Sequence, residues 1–494
     1  MMRQSRPLSL RLTAAVATLA LLSACGGGGG GGGSTNVVVG GGGSGGGLGP
    51  TPTPTTGTCS LSARKEWVQA QMTEWYLFPE TLPATINPAA YADVETFLDA
   101  LTANARAQRR DRYFTYITSI AEENAYYNSG SSAGYGFRLA LDGSDRLLIT
   151  EAFEGAPALA AGMDRGTEIL AIGTQASNLR TVAAILSSEG VEGLNDALGG
   201  ASPGTRRTFR ISDASGVRDV AVTMADYSLA PVSTRYGAKV IDDGGRKVGY
   251  VNLRTFINTA ETPLRNAFAD FKAQGITEVI VDLRYNGGGL VSIADLVNNL
   301  MGADKTSSTV ANYMTFRPSK SAENETTYFA RQPQSIAPTR VAFIGTGGSA
   351  SASELVMNSF IPYLGNRAAL VGTNTYGKPV GQIAIDRAAC DDRLRVIAFA
   401  LENADHQGAY FDGLAPFMGA TCQAPDDVSR QLGDPAEAST RAALDFLAGR
   451  SCGAGIADAG GASAQSSRMK VEREMALLRP ERPSTAQREV PGLF

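Results

Sequence analysis

The chain has 494 residues, of which 43% are hydrophobic and 19% charged, with a formal net charge of −4. That length allows two or three domains with cores of their own, and the slight acidity gives nucleic acid no electrostatic reason to bind. A single histidine, His406, excludes histidine-rich metal clusters and leaves one residue through which a Ser-His-Asp triad would have to run.

The first 25 residues read as an export signal. "MMRQSRPLSLRL" is basic, "TAAVATLALL" is a short apolar core, and "LSAC" ends at Cys25. Such a core is too short for a permanent membrane span. "LSAC" resembles the bacterial lipobox, whose cysteine is lipidated and becomes the mature N-terminus; by the same resemblance, Gly26 after it favours outer-membrane sorting. An ordinary signal peptide is the alternative. Residues 26–57, largely glycine and then "PTPTPTTG", cannot bury enough apolar surface to fold. A tether of about 32 such residues spans roughly 30 Å, enough to hold a folded body off a membrane. Four further cysteines, Cys59, Cys390, Cys422 and Cys452, suggest two disulfides in an exported chain. Of the three pairings, Cys390–Cys422 with Cys59–Cys452 is the one expected, with free buried thiols as the alternative.

Residues 58–119 carry apolar side chains at three- and four-residue spacings and are expected to form a small helical cap. Over 120–229 the pattern turns to short strands: "GYGFRLAL", "LLITEAF", "GAPALAAGMDRGTEILAIG", a helix-like "TVAAILSSEG" and a strand-like "RRTFRIS". This order resembles a PDZ domain. Gly134, Tyr135, Gly136 and Phe137 match its carboxylate-binding loop, where glycines let several N–H groups converge beside a strand edge that an extended peptide can join.

From 230 to 450 strands and helices alternate as in an α/β protein with both sheet faces covered. "KVGYVNLRTF" is strand-like, and "ETPLRNAFADFKAQG" puts Leu264, Phe268 and Phe271 on one helical face. "TEVIVDLRYN" is an apolar strand running into three glycines. "VSIADLVNNLM" aligns Ile293, Leu296, Val297 and Leu300, and "RVAFIG" is a buried strand. Residues 451–494 are rich in Ala, Gly, Ser, Arg and Pro and are expected to be disordered. Their Gly-Leu-Phe end, with a free carboxylate, is the kind of ligand a PDZ groove accepts. Self-docking as an autoinhibitor therefore stands beside an unattached tail.

The chemistry lies where "VAFIG" runs through a glycine-rich turn into "GSASASELVMNSF". A serine at a strand-to-helix corner is presented to solvent beside the positive end of a helix. It becomes nucleophilic only with a base, and the oxyanion needs prearranged donors. His406 sits in a polar stretch with nothing to mark it as that base. Lys378 in "GTNTYGKPVGQ" stands in a low-charge setting with no acidic neighbour beside it, so burial alone would favour its neutral form. "DLRYNGGGL" offers unobstructed backbone N–H groups, and no Lys-Ser or Lys-Thr comes after it to make it a phosphate loop.

"DLRYNGGGL", "GSASASEL" and "TYGKPVGQ", in that order, resemble the carboxyl-terminal processing, or tail-specific, proteases over roughly residues 59–449. The resemblance implies an α/β catalytic core of layered, crotonase/ClpP-like sheet and helices, a PDZ domain and a small N-terminal helical cap. By position it implies Ser351 as nucleophile, Lys378 as general base and Gln382 as the residue that orients them. Gly287 and Ala352 would be the oxyanion donors, with Glu354 serving structure at the helix start. Pro379 departs from the family in lacking an N–H.

The sequence thus predicts a lipid-anchored, periplasm-facing serine endopeptidase that needs no metal or other cofactor. Its expected partners are proteins or peptides with apolar C-termini, a membrane reached only through the lipid anchor, and no nucleic acid. The rival expectations are a catalytically silent member that binds peptides or ligands, and acyl-CoA chemistry on the same layered core.

Overall fold

The computed structural model describes residues 59–456 and 475–494, together with the backbone of Val37–Val38. The expected signal peptide, the lipidation site Cys25 and nearly all of the tether lie outside the described residues. In chain order the helices are α1 (Leu61–Trp75), α2 (Val94–Ala107), α3 (Ile120–Ser129), α4 (Pro157–Ala160) and α5 (Val182–Leu198). They continue as α6 (Glu261–Ala273), α7 (Val291–Leu300), α8 (Ala352–Leu364), α9 (Ala438–Leu447) and α10 (Thr485–Glu489).

The strands are β1 (Val37–Val38), β2 (Tyr116–Ser119), β3 (Ser131–Gly134), β4 (Phe137–Asp142), β5 (Leu147–Ala152), β6 (Glu168–Gly173) and β7 (Arg180–Thr181). Next come β8 (Arg206–Asp213), β9 (Gly216–Thr223), β10 (Ala225–Ser228), β11 (Ala238–Asp242), β12 (Lys247–Asn252), β13 (Glu278–Asp282) and β14 (Val310–Phe316). The last are β15 (Glu325–Tyr328), β16 (Arg340–Gly345), β17 (Ala368–Gly372), β18 (Val380–Arg387), β19 (Asp392–Glu402), β20 (Ala420–Gln423) and β21 (Met475–Leu477).

The centre is a six-stranded sheet of order β11-β12-β13-β16-β17-β20, parallel except for β11 against β12. Its central strands β12, β13, β16 and β17 are apolar over most of their length because both faces are buried, and residue parity separates the faces. Val279, Val281, Val341, Phe343 and Leu370 point into a core shared with Leu264 and Phe268 of α6, Ile293 and Val297 of α7, and Leu355 of α8. Ile280, Ala342, Ile344, Ala369 and Val371 point the other way, onto Ala443, Leu444 and Leu447 of α9.

A second sheet, β1-β18-β19-β14-β15 with β2 on β19, closes over the first core. The N-terminal helices have no core of their own: Val68 and Met72 of α1 and Phe97 and Leu101 of α2 belong to that same cluster. Nor is the cap helical to its end, since β2 adds Tyr116–Ser119 to the second sheet by antiparallel pairing with β19. The layered core is thus mixed α/β, as expected.

Residues 137–223, joined by β21 from the tail, build an antiparallel sheet, β21-β4-β5-β6-β8-β9 with β7 on β6, while β3 and β10 pair separately. It encloses Phe137, Leu139, Ile149, Ile172, Phe209 and Ile211 under α5. The sequence "VEGLNDALGG" continues that helix past Gly190, whose φ of +68° marks a kink. Fully buried arginines tie this sheet to the central one. Arg254 meets Glu151 at 2.6 Å and Glu154 at 2.7 Å, and Arg165 meets Asp426 at 2.6 Å. Buried ion pairs of this kind, broken on one side, leave an uncompensated charge and so hold two bodies in one register.

Two expectations are corrected. Cys59 pairs with Cys390 and Cys422 with Cys452, each at a Cα separation of 5.5 Å. Cys390 closes the turn between β18 and β19, where α1 begins, whereas Cys422 lies fully buried on β20 of the other sheet. Cys452 is brought to Cys422 because the chain after α9 returns alongside β20, with Gln423 N donating to Ala454 O at 2.7 Å. Second, residues 475–494 are not a loose tail. β21 pairs with β4, α10 comes after it, and Leu478, Val490, Leu493 and Phe494 are buried. A few spaced apolar anchors suffice when another domain supplies the surface, and averaged composition does not register them.

The Cys59–Cys390 bridge spans 331 residues and Cys422–Cys452 spans 30. Loop-closure entropy makes the longer bridge worth about 2 kcal/mol more. Urea unfolding of Cys59→Ser/Cys390→Ser should show the larger loss of stability, and an equal or smaller loss than Cys422→Ser/Cys452→Ser would count against this.

Candidate active site

The three serines of "GSASAS" separate by environment. Ser349 and Ser353 are fully buried, and their hydroxyls donate to Leu283 O at 2.7 Å and Asn286 O at 2.9 Å. Both thus clamp the corner before α8 onto the loop after β13. Ser351, between them, is partly exposed, and its φ of +55° is a conformation that L-residues rarely hold. Strained backbone of this kind persists only where its surroundings over-determine it.

The determinant is Glu354, on the first turn of α8. It is fully buried; Oε2 accepts Ser351 N at 3.0 Å and Lys378 N at 2.7 Å, and Oε1 accepts Gly377 N at 2.7 Å. One carboxylate oxygen therefore fixes the backbones of Ser351 and Lys378 together across 27 residues of sequence. Burial pushes this carboxyl above the ordinary glutamate value, against its bonds to Thr375, Lys378, Gly377 and Ser351. Glu354 does more than the helix-start role expected of it. The signal for that role, a glutamate three residues after the corner serine, was visible, but its long-range acceptors were not.

Lys378 Nζ donates to Gln382 Oε1 at 3.0 Å and lies 5.0 Å from the centre of the Phe114 ring. Gln382 is itself held by Nε2 donating to Phe114 O. Desolvation pushes the Lys378 amine below the ordinary lysine value, while the Glu489 carboxylate acts in the opposite direction. The expectation that no acid stands near Lys378 is thereby corrected: Glu489 is brought in from 111 residues further along. It could not be seen locally because the tail folds back across the site.

The glycine loop completes the site. Arg284, fully buried, meets Glu437 at 2.9 and 3.0 Å and Asp282 at 3.0 Å, which anchors the start of "DLRYNGGG". Asn286 Nδ2 donates to Leu253 O at 2.7 Å, and its Oδ1 accepts Gly288 N at 2.9 Å. A Cβ on Gly288 would stand 2.8 Å from Ser351 Cβ, so the loop and the corner serine are in close contact. Gly287 N donates to Glu489 O at 2.9 Å. Ala352 N belongs to the first residue of α8, where helical N–H groups have no acceptor within the helix.

Of the other candidates, Gly134, Tyr135, Gly136 and Phe137 meet the end of the chain. Gly136 N and Phe137 N donate to Phe494 O at 2.8 and 3.3 Å. Tyr135 is buried, with Oη donating to Leu198 O at 2.9 Å. His406 is exposed beyond β19, stacked on Tyr313 at 4.4 Å between ring centres and 3.1 Å from Glu402. None of its contacts is with Ser351 or Lys378.

Residues 247–416 match the model of peptidase family S41, and residues 63–116 that of the peptidase S41 N-terminal domain. A carboxyl-terminal-processing protease of Picosynechococcus is 30% identical over 252 residues, which are 51% of this chain and 55% of the relative. Carboxyl-terminal-processing peptidase 3, chloroplastic, of Arabidopsis thaliana is 26% identical over 311 residues, 60% of this chain and 54% of the relative. The chain thus spans little more than half the length of these curated relatives. A solved Bacteroides fragilis protein described as an S41 protease aligns with a TM-score of 0.59 at 24% identity, covering 78% of this chain and 97% of that one, and shares the fold. The two matched segments are thus similar to the N-terminal domain and the core of S41 peptidases, and the curated relatives the chain resembles are carboxyl-terminal processing proteases.

Glu354→Ala would leave three amide donors without their acceptor, that of Gly377 buried and those of Ser351 and Lys378 partly buried, at roughly 1–3 kcal/mol each. The substitution should cost at least about 3 kcal/mol in urea unfolding. A loss below about 1 kcal/mol would show that the carboxylate does not brace the site.

Proposed function

We propose that this protein is a serine endopeptidase in which Ser351 is the nucleophile and Lys378 the general base. The observation that carries the reading is the shared Glu354 oxygen, which holds both backbones beside the Gly287–Gly289 loop. Neutral Lys378 takes the Ser351 proton as Oγ attacks the substrate carbonyl. The oxyanion is received by Gly287 N–H and Ala352 N–H, donors that cost no reorganisation as charge develops. The C–N bond then breaks and the ammonium of Lys378 returns its proton to the leaving amine. Water, deprotonated by the same amine, attacks the acyl-enzyme and frees Ser351. Gln382 positions Lys378 through the bond to Nζ.

In this reading residues 120–229 are a PDZ domain whose Gly134–Phe137 loop and β4 edge capture apolar C-termini by strand addition. The donor geometry of Gly136 N and Phe137 N supports it. The "LSAC" signal and glycine tether support a lipid-anchored protein facing the periplasm, in the outer membrane, acting on proteins with apolar C-terminal tails.

Ser351→Ala and Lys378→Ala should each lower cleavage of a disordered protein substrate by at least about 10³-fold, with His406→Ala unchanged. Loss of cleavage in the histidine variant would refute the assignment. Because the base must be uncharged, kcat/KM should rise with pH through a midpoint below the ordinary lysine value. Glu489→Gln should lower that midpoint further, since its carboxylate favours the charged amine. A midpoint that moves upward would contradict this.

A further inference from the structure

The tail makes two sets of contacts along one edge of β4. Met475–Leu477 pair with Asp142–Ala140 of β4, and Gly492–Phe494 return to the same strand. Leu139 N donates to Gly492 O at 2.9 Å, and Phe494 N donates to Phe137 O at 3.0 Å. The Phe494 ring packs into the core under α5, and Leu493 and Val490 join a separate cluster with Tyr126, Phe153 and Ile257. Between these anchors the chain crosses the candidate active site. Glu489 O accepts the Gly287 amide, and a Cβ on Gly287 would come within 2.2 Å of Arg488 O. Tyr127 Oη holds the Glu489 carboxyl at 3.0 Å, and Arg488 lies 3.9 Å from the centre of the Tyr116 ring.

The crossing segment is helical rather than extended. Ser484 Oγ accepts Gln487 N at 3.3 Å, Gln487 Oε1 accepts Ser484 N at 3.1 Å, and Val490 N donates to Ala486 O at 2.8 Å. The Glu489–Val490 peptide thus has its N–H committed within the tail while its carbonyl takes the loop amide. A peptide presented for cleavage by strand addition would instead be extended. A cavity of about 600 Å³ runs beside the segment, lined by Glu95, Tyr113, Tyr116, Glu192, Pro480 and Arg488, and gives an incoming chain room to enter as the tail leaves.

We infer that residues 475–494 are a built-in competitive plug, one segment filling both the groove for substrate termini and the amide for the reacting carbonyl. The inference rests on the proposed roles of Ser351, Lys378 and the β4 groove. It names what relieves the block: a protein terminus with an aromatic or aliphatic last residue, which takes the Phe494 position and draws residues 484–490 off the Gly287 loop. Since the plug is tethered, it competes at a high effective concentration, and free peptides of equal intrinsic affinity displace it poorly.

The test uses the full chain with Phe494→Asp, and with Phe494→Ala as a milder second variant. Three quantities are measured: cleavage of a disordered protein, the rate at which a small serine-directed fluorophosphonate labels Ser351, and hydrogen exchange of the Gly136, Leu139 and Gly287 amides. Phe494→Asp should raise all three by about tenfold and Phe494→Ala by about threefold. A synthetic peptide of residues 480–494 should return cleavage by Phe494→Asp toward the parent rate. Unchanged cleavage and labelling with released amides would overturn the plug, as would fast exchange of those amides in the unaltered chain. If neither chain cleaves or labels, the peptidase reading fails and the inhibitory role with it. Slow amides that Phe494→Asp releases would then still sustain the seated tail.

Discussion

The buried carboxylate of Glu354 is the interaction on which the site depends. Its oxygens accept main-chain N–H groups from Ser351, Gly377 and Lys378, and among the described residues no arginine or lysine side chain pairs with it. A charge in that position is expensive, and only convergent donors make it tolerable. The same convergence ties the strained corner at Ser351 to the segment leading into β18. The geometry that brings two distant parts of the sequence together is therefore a by-product of satisfying one buried acid.

The layers around it serve that geometry. The parallel sheet ends at two loops, "DLRYNGGG" after β13 and "GTGGSAS" after β16, and these are neighbours because β13 and β16 are paired in register from Glu278–Arg340 to Asp282–Ile344. Ser349 and Ser353 sew the loops together. The second sheet supplies Lys378 and Gln382 at the start of β18, and the N-terminal segment supplies Phe114, which both packs near the lysine and accepts from the glutamine. The region matched as an N-terminal domain is in this sense part of the site wall.

The tail changes the electrostatics of that wall. Burial is the largest influence on Lys378 and lowers it, and the Glu489 carboxylate opposes that without overturning it. Glu489 is itself raised by burial and lowered by Lys378, Tyr127 and Arg395, so the pair is mutually dependent. Residues 120–229 carry the other end of the same segment. Groove and site are thus linked both by the tail and by Arg138, which donates to Tyr285 O at 2.6 Å and to Pro491 O at 3.1 Å.

Much of this was legible in the linear chain. Apolar runs of strand length, helical stripes such as Leu264-Phe268-Phe271, and the three spaced motifs carry their meaning locally, because periodicity and turn chemistry act over a few residues. Those signals were enough for the mixed α/β core and for a serine at the corner between β16 and α8. Disulfide partners, the brace at Glu354 and the approach of Glu489 were not legible. Each joins residues far apart in sequence, and nothing in composition or spacing records which surfaces the folded sheets bring face to face. The tail shows the limit most clearly: its sequence reads as low complexity, and it is ordered by a groove and a core that exist only after the rest of the chain has folded.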